Sequence, residues 1–226
     1  MIFRILVWLH DLDFSEALKS FIFEPVLEVC HPMHANIHRI VSSFFFSSTE
    51  KPMSLIGKKA PEWQSVAYVK GDEQVIKSSD LDGKWYVLYW YPLDFTFVCP
   101  TEIRGFEALV EEFQDDGVAV IGASTDSFFS HKAWFADRET FAQVITHPVL
   151  ADTSHAVTKA FGVLKEDEGI AFRATVIVDP QGVVRSVSVN DLSAGRSPHE
   201  TLRTVQALQS GGLCGADWKK GENFAA

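Results

Sequence analysis

From residue 61 onward the apolar and polar positions fall into runs of two different periods. "SVAYV" and "EQVIK" alternate apolar and polar side chains on either side of Gly71-Asp72, as a hairpin does. "KWYVLYWYP" and "VAVIGAS" are continuous apolar runs, the pattern of strands buried on both faces. Between them Ile103, Phe106, Leu109, Val110 and Phe113 recur at helical spacing, and Gly117 stops the pattern. Strand, helix and strand within about forty residues form a βαβ unit, which demands a parallel pair and a right-handed crossover. Helices are predicted around "SHKAWFADRETFAQV" and "SHAVTKAFGV". Two antiparallel strands follow in "RATVIVDPQGVVRSVSVN", joined at Asp179-Pro180-Gln181-Gly182. In "SPHETLRTVQALQSGG" a last helix has Ser197 as N-cap, Glu200 completing a capping box and Gly211 as its stop. The tail "LCGADWKKGENFAA" reads as short and mobile. Together these elements predict one α/β domain with a mixed central sheet flanked by helices.

The first fifty residues do not share this order. "MIFRILVWLH" is too short an apolar stretch to span a bilayer and is soon broken by Asp11 and Asp13. No small-residue cleavage pattern follows it, and the segment is too acidic for an organellar transit peptide. Residues 1–52 therefore read as a poorly ordered extension or an upstream mis-start, and residues 53–226 as the folded domain, beginning at Met53. Cys30, His31, His34 and His38 lie close together, and such residues can ligate zinc. Pro32 interrupts the helix that would align them and no second ligand pair exists elsewhere, so the cluster is taken as incidental.

Composition narrows the function. The 226-residue chain is 46% hydrophobic with a formal net charge of -10. An acidic body is a poor partner for nucleic acid or an anionic membrane surface. Three cysteines in a chain of this length make no disulfide framework. They suit a reducing, cytoplasmic setting in which any disulfide is transient and chemical.

One of those cysteines stands at a seam. In "YPLDFTFVCPTEIRGFEALVEEF", Cys99 follows an apolar strand and directly precedes a helix. With Cys99 at the N-cap, Pro100 takes the first helical position, where its missing N–H costs nothing, and Glu102 takes the capping-box position. A sulfur there faces the first-turn N–H groups and the positive end of the helix dipole, which favour the thiolate. Full ionisation raises the reactive fraction of an ordinary thiol by only roughly thirtyfold, about 2 kcal/mol. The remainder must come from groups that hold and polarise a substrate. Pro92 and Thr96 lie just upstream. Arg173 heads the strand "RATVIVD" and arrives beside the sulfur if that strand neighbours the one ending at Pro92.

The spacing Pro-x-x-x-Thr-x-x-Cys, the flanking "DFTFVCPTE" and the later "RATVIVDPQG" resemble the peroxiredoxins. "STDSFFSHKAW" and "LCGADWKKGE" narrow the resemblance to the alkyl hydroperoxide reductase C group of two-cysteine peroxiredoxins, over about residues 53–226. The resemblance implies a thioredoxin-like fold and a thiol-dependent peroxidase. Cys99 would be the peroxidatic nucleophile, Pro92, Thr96 and Arg173 the peroxide pocket, and Cys214 the resolving cysteine. Glu102 and Arg196 match positions that support the arginine and its loop, although Glu102 also reads as a plain helix-cap residue. The implied partners are a peroxide, an external dithiol reductant (a flavoprotein disulfide reductase or thioredoxin) and further copies of the chain, as a homodimer with an intersubunit disulfide and a ring of dimers. No cofactor motif is present, so electrons come from outside. The Gly-Gly-Leu-Gly insertion and Tyr-Phe tail of over-oxidation-prone members are missing, since the resolving context is "SGGLCG" and the chain ends "NFAA".

Two other classes are weighed against this. A thioredoxin-type oxidoreductase needs a C-x-x-C pair, but Glu102 stands where its second cysteine would be. A non-enzymatic holdase or structural ring would not need the thiol. His131 and His147 read as surface or packing residues, and the aromatic residues of "WYVLYWY" as core.

Overall fold

The structure, a computed structural model, describes residues 54–226. The amino-terminal segment and its Cys30, His31, His34 and His38 cluster lie outside the described residues. The predicted hairpin is present as β1 (Gln64–Val69) and β2 (Asp72–Lys77), paired antiparallel across Lys70-Gly71. A 3-10 turn (Ser78–Leu81) leads to β3 (Trp85–Trp90). Helix α1 (Cys99–Ala108), a single off-helical residue at Leu109, and α2 (Val110–Asp115) connect β3 to β4 (Val118–Ser124), which pairs parallel with β3 as the βαβ reading requires. Helix α3 (Phe128–Phe135), β5 (Val149–Ala151) and α4 (Ala156–Ala160) follow. A small hairpin, β6 (Leu164–Lys165) and β7 (Ile170–Ala171), precedes β8 (Arg173–Val178), β9 (Val184–Asn190) and α5 (Pro198–Ser210).

The main sheet has seven strands in the order β2-β1-β5-β4-β3-β8-β9. Its parallel centre, β5-β4-β3, is flanked by antiparallel strands. Alternation along β3 sends Tyr86, Leu88 and Trp90 to one face and Val87 and Tyr89, with Tyr91 just beyond the strand, to the other. The second face packs against Ile103 and Phe106 of α1, Trp134 and Phe135 of α3, and Leu202 and Val205 of α5. Val157 and Phe161, in and just after α4, and Ala171 of β7 cover the first. Both faces are dry, which is why β3 reads as one unbroken apolar run.

Three local readings change. Helix α3 stops at Phe135, far short of the predicted span, because Asp137 accepts hydrogen bonds from Glu139 N and Thr140 Oγ1 and turns the chain. The capping box of α5 is half made: Ser197 Oγ accepts from Glu200 N, but the Glu200 carboxylate pairs with Arg203. The carboxy-terminal tail is mostly exposed but is anchored at one residue. Trp218 is buried, stacks on Phe224, donates from its indole N–H to the Glu222 carbonyl and accepts a hydrogen bond at its own carbonyl from Arg203 of α5. Among the described residues no helix is long and apolar enough to cross a membrane.

Candidate active site

Cys99 is the first residue of α1, one position inside the predicted N-cap, which is Val98 instead; Pro100 stays within the first turn. The thiol is wholly buried. Strand β8 lies antiparallel beside β3, with Thr175 opposite Tyr89, and this register carries Arg173 up to the sulfur. Arg173 Nη1 donates to Cys99 Sγ at 3.4 Å and to Glu102 Oε2 at 2.6 Å, while its Nε donates to the Leu192 carbonyl at 2.7 Å. The guanidinium is therefore fixed from two sides before any substrate arrives.

Glu102 is no mere cap residue. It is 2% exposed, and its other oxygen accepts from both Arg196 N and Arg196 Nε at 2.8 Å. Arg196 reaches on to Thr175 Oγ1 and the Ala174 carbonyl and lies over the Tyr89 ring, 5.5 Å from its centroid. Two guanidiniums and one carboxylate leave a surplus of one positive charge beside the sulfur, within a buried cluster. A negative charge developing there, on sulfur or on an oxygen leaving it, meets fixed donors.

The loop between β3 and α1 carries Pro92, which is buried, and Thr96, whose hydroxyl donates to the Leu93 carbonyl at 2.9 Å. Phe95 holds a left-handed φ of 56°, a strained value for a bulky residue, so the surroundings must impose the loop's shape. They do so through Asp94. Its carboxylate accepts from Tyr91 OH and binds His131 Nδ1, each at 2.8 Å, and its backbone N–H donates to Asp126 Oδ2 at 2.9 Å. His131 is wholly buried and its Nε2 bonds the Leu150 carbonyl, so it packs, and it also tethers the loop to α3. Burial first, and then the neighbouring Asp94 charge, push the Asp126 carboxyl above its ordinary value. Asp94, Asp126 and His131 are not among the residues that the sequence pattern assigns to the site. A histidine on the apolar face of a helix, in line with Phe128, Trp134 and Phe135, is the signal that points to them.

Cys214 stands apart. It is half-exposed behind the last turn of α5, with Sγ 3.3 Å from Ser210 Oγ. Arg196, at the Cys99 cluster, lies just before the 13-residue α5. A helix of that length separates its ends by about 18 Å. Both thiols are free. The fold thus gathers Cys99, Arg173, Glu102 and Arg196, lays Pro92 and Thr96 on the loop leading into Cys99, and leaves Cys214 at the opposite end of a helix.

Comparison with known proteins matches the chain to one family. Residues 56–187 match the sequence model of the AhpC/TSA family. The chain is 48% identical over 176 residues to peroxiredoxin prdx-2 of Caenorhabditis elegans, covering 75% of this chain and 88% of that protein. It is 44% identical over 174 residues to a putative peroxiredoxin in the rubredoxin operon of Clostridium pasteurianum, covering 75% and 97%. Among solved structures, AhpC of Mycobacterium tuberculosis superposes with a TM-score of 0.68 at 38% identity, covering 74% of this chain and all, 100%, of that one. The reduced 2-Cys peroxiredoxin of Plasmodium vivax superposes with a TM-score of 0.72 at 34% identity, covering 75% and 92%.

Proposed function

The chain belongs to the AhpC/TSA family of peroxiredoxins and is a thiol-dependent peroxidase with their thioredoxin-like fold, and from that premise we propose that Cys99 is its peroxidatic nucleophile and Cys214 its resolving thiol. The observation that carries the assignment is the Arg173 guanidinium 3.4 Å from the Cys99 sulfur, held there by Glu102. The Cys99 thiolate attacks one peroxide oxygen in line with the O–O bond. Sulfur gains that oxygen, the O–O bond breaks, and the other oxygen leaves as hydroxide or alkoxide, taking up a proton. Arg173 supports the charge as it moves onto the leaving oxygen, and Pro92 and Thr96 wall and orient the second side of the peroxide. The product on Cys99 is a sulfenic acid.

Cys214 then attacks that sulfur, forming a disulfide and releasing water. The distance along α5 supports the partner subunit's Cys214 over the chain's own. Homo-oligomer formation is part of this reading. Two features support it: β9 is an edge strand of the sheet, and Leu93, Phe95, Phe97 and Phe129 are exposed on the loop and helix joined by Asp94 and His131. Dimers through one surface and a ring of dimers through the other would cover both. An external dithiol, a thioredoxin or a flavoprotein disulfide reductase, reopens the disulfide in the cytoplasm.

Non-reducing electrophoresis after peroxide treatment tests the cycle. Wild type gives a disulfide-linked dimer band, and Cys99→Ser and Cys214→Ser each abolish it. A band that persists in either variant rules out the Cys99–Cys214 pairing, and peroxidase activity that survives Cys99→Ser rules out the nucleophile.

A further inference from the structure

Two buried carboxylates tie the two halves of α1 to different parts of the fold. Glu102 binds its first turn to Arg173 of β8 and to Arg196. Glu107, five residues on, faces the segment that leads into β5. It accepts from Thr146 N at 2.8 Å, Thr146 Oγ1 at 2.6 Å and His147 Nδ1 at 2.7 Å. Because Nδ1 faces a carboxylate it carries the proton, and Nε2 is left to accept from the Tyr89 hydroxyl at 2.8 Å. Burial raises the Tyr89 phenol well above its usual range, so it stays the donor. Tyr89 belongs to β3, and its ring stacks on Phe106 of α1 with centroids 4.0 Å apart. A closed circuit therefore runs from α1 through residues 146–147 to β3 and back. The peroxide chemistry uses none of its members.

Between the two anchors lies Gly105. A Cβ there would fall 2.8 Å from Pro198 Cγ, so glycine admits the start of α5 close to the helix. It also leaves the helix weakest at that point. Cys99 is wholly buried, so no thiol from another subunit reaches it unless the first turn opens and the Glu102 contacts break. Opening past Gly105 would break the Glu107 contacts as well. We propose, resting on the reading above, that Glu107, His147 and Tyr89 are positioning residues that confine this opening to the turn before Gly105, so that the rest of α1 remains as the template on which the site re-forms.

Hydrogen exchange measured by mass spectrometry on the full chain, reduced and disulfide-linked, tests this. In wild type, the disulfide form loses protection over residues 99–104 and keeps it over 106–110. In Glu107→Gln the loss extends through 106–110, with exchange there at least tenfold faster than in the wild-type disulfide form. His147→Gln, whose amide both donates to Glu107 and accepts from Tyr89, keeps most of the wild-type boundary. Should Glu107→Gln fail to fold, Tyr89→Phe carries the same test with a smaller shift. A merely structural role would lower the melting temperature of both redox forms without moving the boundary, and that result overturns the proposal. Loss of protection along all of α1 in the wild-type disulfide form overturns it too. A wild type that forms no disulfide overturns the proposed function itself, and this inference with it.

Discussion

Replacing Glu102 with glutamine keeps the shape of the side chain and removes its charge. In the native cluster one carboxylate serves two guanidiniums, each side chain 5% exposed. The two arginines bind different oxygens of Glu102, so a glutamine oxygen would serve one of them and its amide would point a donor at the other. Leaving a buried charge without its partner costs about 3–5 kcal/mol. In a domain of this size that is a fall in melting temperature of roughly 6–20 °C. Arg173 keeps its bond to the Leu192 carbonyl but loses the anchor that aims Nη1 at the sulfur. Losing one well-aimed donor to developing charge costs a reaction up to about a thousandfold, and misalignment of one that is still present should cost roughly 10- to 100-fold. The second-order rate constant with hydrogen peroxide, from stopped-flow tryptophan fluorescence, measures this, with differential scanning calorimetry at pH 7 for stability. Because the pair is buried, added salt at about 0.5 M should change neither result by much. The variant also makes the surroundings of Cys99 more positive. If that charge alone limited the reaction, Glu102→Gln would react faster than wild type, so an unchanged or higher rate refutes the positional role of Glu102.

Three further outcomes are expected. Burial alone would raise the Glu107 carboxyl, but the His147 and Thr146 hydrogen bonds outweigh it and hold the group at about 2, against 4.5 for a free side chain. A depressed carboxyl adds stability above its unfolded value and loses it as pH falls toward the folded one, so wild type should lose up to about 3 kcal/mol between roughly pH 5 and 2. Urea titrations should show Glu107→Gln with a flatter acid limb, and parallel limbs would count against the network. Phe97, which is 96% exposed on the loop before Cys99, should serve assembly; Phe97→Asp should shift sedimentation toward smaller species and slow peroxide reduction, and an unchanged profile excludes that surface. Finally, without a Gly-Gly-Leu-Gly insertion to slow the opening of the helix, the disulfide should form before a second oxidation. Mass spectrometry during turnover at modest peroxide should find little Cys99 sulfinic acid, and extensive sulfinylation contradicts the expectation.

The parts of the site that the sequence exposes are those whose neighbours in space follow from chain order. Cys99 before Pro100 marks a helix start, and Arg173 heads an apolar strand, so their meeting needs only that β8 lie beside β3. Other contacts have no such route. Asp94 and His131 are 37 residues apart, and Tyr89 and His147 are 58 apart; both pairs form because α3 and the segment before β5 fold back over the same face of the sheet. Each leaves a faint mark. Glu107 sits in the apolar stripe of α1, four residues after Ile103, and a carboxylate in such a stripe must find partners or be excluded. The short strand β5 escapes notice for a different reason, since three residues after a proline carry too little period to register. The burial of Trp218 in the tail escapes it because it comes from Trp218 and Phe224 meeting across a turn and not from a repeating pattern.

Rigidity and release place opposite demands on the same helix. Fixed donors lower the barrier to O–O cleavage only if they are held before the charge appears, and under the proposed function the Arg173–Glu102–Arg196 cluster would do this by removing them from water. Disulfide formation asks for the reverse, since a wholly buried sulfur must become reachable. A cluster at the first turn of a helix reconciles the two, because the end of a helix frays more readily than its middle. Moving the same residues to the centre of α1 would preserve the contacts and forfeit the release. In the proposed cycle the position of Cys99 at the first residue of the helix, next to the proline that removes one backbone donor, is therefore a kinetic requirement as much as an electrostatic one.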